Sequence, residues 1–106
     1  IGSRTLANGY VVAPSFAGGK VVSSVGGGIC QVSSTIHVAM LLAGITPTQR
    51  YAHSLPVDYV PKGLDSAIVE GYKDLTFTNN FDFTIVINAT VKDGVLTVSF
   101  LQKQDV

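Results

Sequence analysis

Only one cysteine, Cys30, occurs in the 106 residues of the chain. That alone excludes an internal disulfide and a multi-cysteine zinc site. A single thiol fits the cytosol, or an exported protein whose lone cysteine has a task. Charge is scarce as well. Charged residues make up 13% of the chain, and seven basic side chains balance seven acidic ones. Lys and Arg are scattered, so no net field recruits nucleic acid or an anionic membrane. No continuous apolar run approaches the ~18 residues of a transmembrane helix, and no signal peptide is visible. Repeats, linkers and low-complexity tracts are absent too. Residue 1 is Ile rather than Met, so the expectation is one domain over 1–106, excised from a longer chain.

What is present is apolar material, 46% of all residues. This is too much for a disordered segment and enough for one core. The first third is Gly-rich and β-prone. "GYVVAP" and "GKVVSSV" read as a hairpin, or as two strands around a turn at Gly18 and Gly19. In "GGGICQVSSTIHVAMLLAGITP", Val32, Ile36, Ala39, Met40 and Ala43 fall at helical spacing. Gly44 stands where a helix ends, with Pro47 soon after. The spacing predicts a helix from about Cys30 to Ala43. "ITPTQRYAHS" looks extended, and "LPVDYVPKGLD" reads as an irregular connection. "SAIVEGY", "DLTFTNN", "DFTIVINATV" and "VLTVSFLQ" read as strands. Phe83, Ile85, Ile87 and Ala89 alternate with Thr84, Val86 and Asn88, the pattern of a half-buried strand. Asp93-Gly94 between the last two runs is a hairpin signal. The expected class is α+β, with one main helix packed on a mostly antiparallel sheet.

Cys30 falls in or just before the first helical turn, behind three glycines. Partial positive charge and free N–H groups at a helix start favour a thiolate and can receive a developing oxyanion. Gly27 and Gly28 allow a substrate to approach the backbone closely. The plainer alternative is a sharp glycine turn with Cys30 packed inside as a small hydrophobe. Of the two histidines, His37 lies on the same helix face but ~10 Å along the axis, too far for a Cys–His pair. His53, on the segment after the helix, is the candidate base. Asp65 is the candidate orienting carboxylate, with Asp74 as the alternative and Asp58 the weakest of the three. Gln31 is a candidate oxyanion donor. Nothing in the spacing of His37, His53 and the carboxylates matches a standard metal site, and no metal or cofactor is expected.

The run "GGGICQVSSTIHVAMLLAG", followed by "RYAHSLPVDYVPKGLDSAIVEGYKDLTFTNN", resembles the VanW-like family of bacterial cell-surface proteins. The opening "SRTLANGYVVAPSFAGGKVVSSV" resembles that family's lead-in. The resemblance implies an exported, extracellular or cell-surface protein of a Gram-positive bacterium, acting near peptidoglycan or its stem peptides, often joined to peptidoglycan-binding or G5 modules. Members usually carry Tyr where His37 stands, a further argument against a catalytic His37. A second similarity is one of arrangement. Cys30 at a helix start, then His53, then Asp65 follow the order of transglutaminase-like and papain-like cysteine enzymes, an analogy that does not itself establish function.

Two classes of function follow. In the first, Cys30 attacks an amide or peptide carbonyl of the cell wall, His53 serves as base and then acid, and Asp65 orients His53. In the second, the domain is a non-catalytic wall-binding or structural module. Gly27, Gly28, Gln31, Ser33 and Tyr59 would then form a groove, and Cys30 would be a packing residue.

Overall fold

The computed structural model describes residues 5–17 and 20–103, with side-chain detail outside 13–24. The expected turn at Gly18 and Gly19 lies outside the described residues. After a short 3₁₀ turn at Leu6–Asn8, β1 (Val12–Ala17) pairs antiparallel with β2 (Lys20–Val25). Helix α1 spans Ile29–Leu42, and β3 (Ile85–Lys92) pairs antiparallel with β4 (Val95–Gln102). The class is α+β, as expected. The single sheet is not observed: among the described residues the strands form two separate two-stranded ladders.

The helix begins and ends within a residue of its expected limits, and its end has a clear cause. Gly44 takes a left-handed φ of 78°. Its amide then bonds the Leu41 carbonyl at 3.0 Å, and the Ile45 amide bonds the Met40 carbonyl at 3.0 Å. This pair of bonds is a Schellman closure. It turns the chain so that Ile45 is buried along with Met40. The β3–β4 turn follows the Asp-Gly signal. Asp93 (φ 51°) and Gly94 (φ 76°) are both left-handed, which matches the twist of the flanking strands.

Two expectations are corrected. "SAIVEGY" and "DLTFTNN" are not strands. They are irregular segments that touch the ladder pattern only at the isolated bridges Val69–Lys73 and Gln49–Thr76. Nor is β3 half-buried: apart from Ile85, every residue in it is exposed. Helix α1 packs against β4, and Phe100 of β4 meets Phe77 with ring centroids 5.8 Å apart.

The irregular segment from Leu64 to Ile68 does the work expected of a sheet strand, but it docks on the helix. The His37 ring donates from Nδ1 to the Leu64 carbonyl at 2.8 Å. Ser33 Oγ donates to the Ser66 carbonyl at 2.6 Å. The Ser66 amide donates to Ser34 Oγ at 2.8 Å, and the Ile68 amide to Cys30 Sγ at 3.4 Å. The match is one of periods. Cys30 to His37 spans ~10 Å of helix at ~1.5 Å per residue, and Leu64 to Ile68 spans ~13 Å of extended chain at ~3.3 Å per residue. Alternate residues of the segment therefore meet successive turns of one helix face, running antiparallel to it. Ala67 and Ile68 are buried there, and so are Ser33, Ser34, His37 and Ser66. A polar helix face of this kind is stable because its hydroxyls and ring satisfy backbone groups of a segment that lies outside both ladders; on the other side of that segment the Ala67 amide donates to the Tyr51 carbonyl at 2.8 Å.

One group at this seam has no partner: Ser66 Oγ is buried without a hydrogen bond. An unsatisfied buried hydroxyl costs ~1–3 kcal/mol. Ser66→Ala is therefore expected to leave stability unchanged or raise it by up to about 1 kcal/mol, read as the urea midpoint at unchanged slope. A clear loss of stability would show that the hydroxyl is satisfied in solution.

Candidate active site

Gly26 and Gly28, with φ of 79° and 89°, reverse the chain into the helix. The Gly26 carbonyl accepts the Ile29 amide at 3.3 Å, and the Gly28 carbonyl accepts the Gln31 amide at 3.1 Å. Gly28 is the N-cap and supplies no side-chain acceptor. The Cys30 amide lies between these two used donors. It is a second-position helix N–H, which has no partner within the helix. The Gln31 amide is spent on the Gly28 carbonyl, so the Cys30 amide is the helix-start donor that faces the site.

An ideal Cβ at Gly28 meets nothing within 4 Å, so a side chain there is opposed only by its φ of +89°. Gly28→Ala should destabilise by ~1–2 kcal/mol through the left-handed backbone alone. Gly28→Asn should cost less, because Asn tolerates that region better. Equal urea midpoints for the two variants would show that the backbone is not what selects glycine.

Cys30 is partly exposed. Its sulfur accepts from the Ile68 amide at 3.4 Å and faces the Ile68 carbonyl at 3.7 Å. Asp65 belongs to the same docked segment but projects to its other side. There it accepts from both the amide and the ring of His53, with Oδ2 2.7 Å from N and 2.6 Å from Nδ1. Arg50 holds the same residue from a third direction: Nε donates to the Asp65 carbonyl at 2.7 Å and Nη2 to Oδ1 at 3.0 Å. Nη2 also reaches the Gly63 carbonyl at 3.2 Å. Burial pushes the Asp65 carboxyl up, but it is outweighed. The His53 amide, the His53 ring and the Arg50 guanidinium together hold the carboxyl below its ordinary value. An ionised Asp65 makes Nδ1 of His53 the donor, so that in the neutral imidazole Nε2 is the acceptor.

Nε2 faces the hydroxyl of Tyr59 at 3.4 Å, and the two rings meet edge to face with centroids 6.3 Å apart. Burial raises the Tyr59 phenol above its ordinary value. The neighbouring Ser34 hydroxyl works in the opposite direction, and the charges of Cys30, Asp65 and Asp58 add to the rise. Tyr59 is therefore a neutral phenol whose hydroxyl lies at Nε2 of His53.

The structure thus brings His53 and Asp65 into contact and sets Tyr59 on the far side of the imidazole. Asp74 is not the carboxylate at His53; its Oδ1 accepts the amide of Leu75 at 2.8 Å. His37 is a buried helix residue spent on Leu64. Gln31 and Gly28 are exposed, and Gly27 is half-buried. The expectation that Ser33 lines a ligand groove is corrected: it is fully buried, and its hydroxyl is spent on the Ser66 and Cys30 carbonyls. Arg50 and the Ile68 backbone were not anticipated. Arg50 had one signal, its position three residues before His53. A backbone amide has none. Among the described residues, no group of three or more His, Cys, Asp or Glu side chains is gathered to hold a metal ion, and no helix is long and apolar enough to cross a membrane.

Comparison with known proteins adds three findings. Residues 1–101 match the family described as VanW like protein. The chain is 41% identical over 99 residues to a Bacillus subtilis (strain 168) protein called uncharacterized protein YoaR, covering 93% of this chain and 33% of that one. It is 35% identical over 94 residues to the vancomycin B-type resistance protein VanW of Enterococcus faecalis (strain ATCC 700802 / V583), covering 83% of this chain and 34% of that one. The chain therefore spans about a third of the length of each relative. No solved structure matches it.

Proposed function

The chain belongs to the VanW-like family, and on that premise we propose that it works outside the cell, at the cell wall, as a cysteine-dependent domain that hydrolyses or transfers amide bonds of peptidoglycan stem peptides. The cell-wall context draws on the name of the vancomycin-resistance relative. The observation that carries the chemistry is the His53–Asp65 contact at 2.6 Å. It fixes the imidazole tautomer with Nε2 as the basic nitrogen, and its Asp65 lies on the segment docked against α1, whose second residue is Cys30.

In this reading the Cys30 thiol loses its proton to Nε2 of His53. The sulfur then attacks the substrate carbonyl, and a carbon–sulfur bond forms. The Cys30 amide receives the oxyanion. The imidazolium returns the proton to the leaving amine as the carbon–nitrogen bond breaks. Water or a second amine then releases the thioester and regenerates the thiol. Asp65 stays ionised throughout and stabilises the transient imidazolium.

The test is incubation of the protein with soluble muropeptides, followed by mass spectrometry of the products. The reading requires cleaved or joined stem peptides. Peptidoglycan pull-down with no product would favour the non-catalytic wall-binding module in its place.

A further inference from the structure

Arg50 bonds one residue at two places. Its Nε donates to the Asp65 carbonyl at 2.7 Å and its Nη2 to Asp65 Oδ1 at 3.0 Å. Nη2 also donates to the Gly63 carbonyl at 3.2 Å. Oδ2 of Asp65 is taken separately, by the amide and Nδ1 of His53. The two carboxylate oxygens therefore have different partners. Asp65 is only 8% exposed, so little water is at hand to replace Arg50 at Oδ1. Without the guanidinium, the carboxyl is free to turn about Cβ–Cγ or to take up a proton. Either change weakens the acceptor that holds the Nδ1 proton. The imidazole can then carry its proton on Nε2, which leaves that nitrogen no lone pair to act as a base. The planar fork of arginine suits this task, because neighbouring donors span the main-chain and side-chain oxygens of one residue. A lysine supplies the charge at one point without the fork.

From this geometry we infer that Arg50 is a positioning residue of the site: it locks the Asp65 carboxylate with Oδ2 toward His53, and so sets which ring nitrogen of His53 is basic. The catalytic consequence rests on the cysteine-nucleophile reading. Among the described residues Arg50 bonds Asp65 and Gly63 and neither His53 nor Cys30, so it acts on the imidazole only through Asp65. Its loss should therefore lower kcat and leave KM nearly unchanged.

The experiment records the ring nitrogen resonances of both histidines by long-range proton–nitrogen correlation, at about pH 8.5, above the ordinary histidine range. It compares the wild type, Arg50→Lys and Arg50→Gln, with His53→Gln to assign the signals. The wild type is expected to carry its proton on Nδ1 in both rings. Arg50→Gln should move the His53 proton toward Nε2, and Arg50→Lys should move it partway. His37 is an internal control, because its Nδ1 donates to Leu64 on the same docked segment; its tautomer should not change in any variant. Turnover of muropeptides should fall about 100-fold in Arg50→Gln and about tenfold in Arg50→Lys, in kcat with KM unchanged. A change at both histidines together would mean that Arg50 merely anchors the segment, and it overturns the inference. So does a His53 that keeps its Nδ1 proton in both variants, or one that carries it on Nε2 in the wild type. If Arg50→Gln does not fold, Arg50→Lys and the wild-type spectrum still decide. The cysteine reading fails by a different result: a wild type that turns over no muropeptide removes that reading, while a His53 tautomer that depends on Arg50 still stands.

Discussion

Cys30→Ala is expected to abolish turnover of muropeptides, by a thousandfold or more, while the protein remains folded. The chemical half of this prediction follows from the site. Without sulfur no thioester forms, and the Cys30 amide and the His53–Asp65 pair have nothing to activate. The structural half follows from the packing. Cys30 is only partly buried, and its removal costs mainly the sulfur acceptor of the Ile68 amide. A sulfur is a weak acceptor, so the loss should be about 1 kcal/mol. The Ser33, Ser34 and His37 bonds to the same segment remain. Circular dichroism and a urea melt check the fold, and product analysis checks the chemistry. Full turnover in the alanine variant would exclude Cys30 as the nucleophile.

Asp65→Asn is expected to damage both stability and activity. The carboxylate accepts from the His53 amide, the His53 ring and Arg50. A neutral amide cannot balance Arg50, whose side chain is about a quarter exposed, and cannot fix the same imidazole tautomer. Breaking such a part-buried pair by removing one partner should cost ~2–4 kcal/mol, and loss of the orienting carboxylate should lower turnover by ~10³–10⁴-fold. The pH dependence has a definite sign. The folded-state value of Asp65 is held below its ordinary value. Its contribution is therefore complete above the unfolded carboxyl value of about 3.9 and is lost as the pH falls through the folded-state value. Wild-type stability should drop steeply on acidification below about pH 4, and Asp65→Asn should flatten that drop. Urea midpoints between pH 3 and 7 test this. Parallel curves for the two proteins would mean that Asp65 is not the linked group.

Where local chemistry decided the structure, the sequence could be read in advance. Apolar spacing and Gly44 gave the helix and its end to within a residue, and Asp93-Gly94 gave the second hairpin. Where the outcome depended on a distant partner, the reading failed. "SAIV" is apolar and β-prone, but Ser66, Ala67 and Ile68 are buried by docking on the first turns of α1 instead of pairing in a sheet, and Val69 stays exposed. Ser33 was expected in a groove because it is small, polar and close to the helix start. A helical hydroxyl can equally serve as donor to the carbonyl of an extended neighbour, and Ser33 does so at Ser66. The alternation in β3 promised a buried face, but a two-stranded ladder offers too little cover, and Ile87 and Val91 remain 45% and 71% exposed.

The site divides along the same line. The order Cys30, His53, Asp65 was visible, and the contact between the last two is formed. The choice of Asp65 over Asp74 needed the fold, because both stood in comparable positions along the chain. Arg50 and the Ile68 backbone owe their roles to the docked segment, which no motif announces. Tyr59 was visible only as a groove residue. Its place at Nε2 of His53 comes from a return of the irregular loop that the prolines around it do not reveal.

The most direct test of the account is intact-protein mass spectrometry after brief incubation with a synthetic stem peptide, followed by acid quench and peptide mapping. The account predicts a covalent acyl adduct on Cys30, formed in the wild type, strongly reduced in His53→Gln and absent in Cys30→Ala. A peptide that is turned over with Cys30 never modified, or a thiol left unmodified alongside an unchanged peptide at every pH tried, would contradict it.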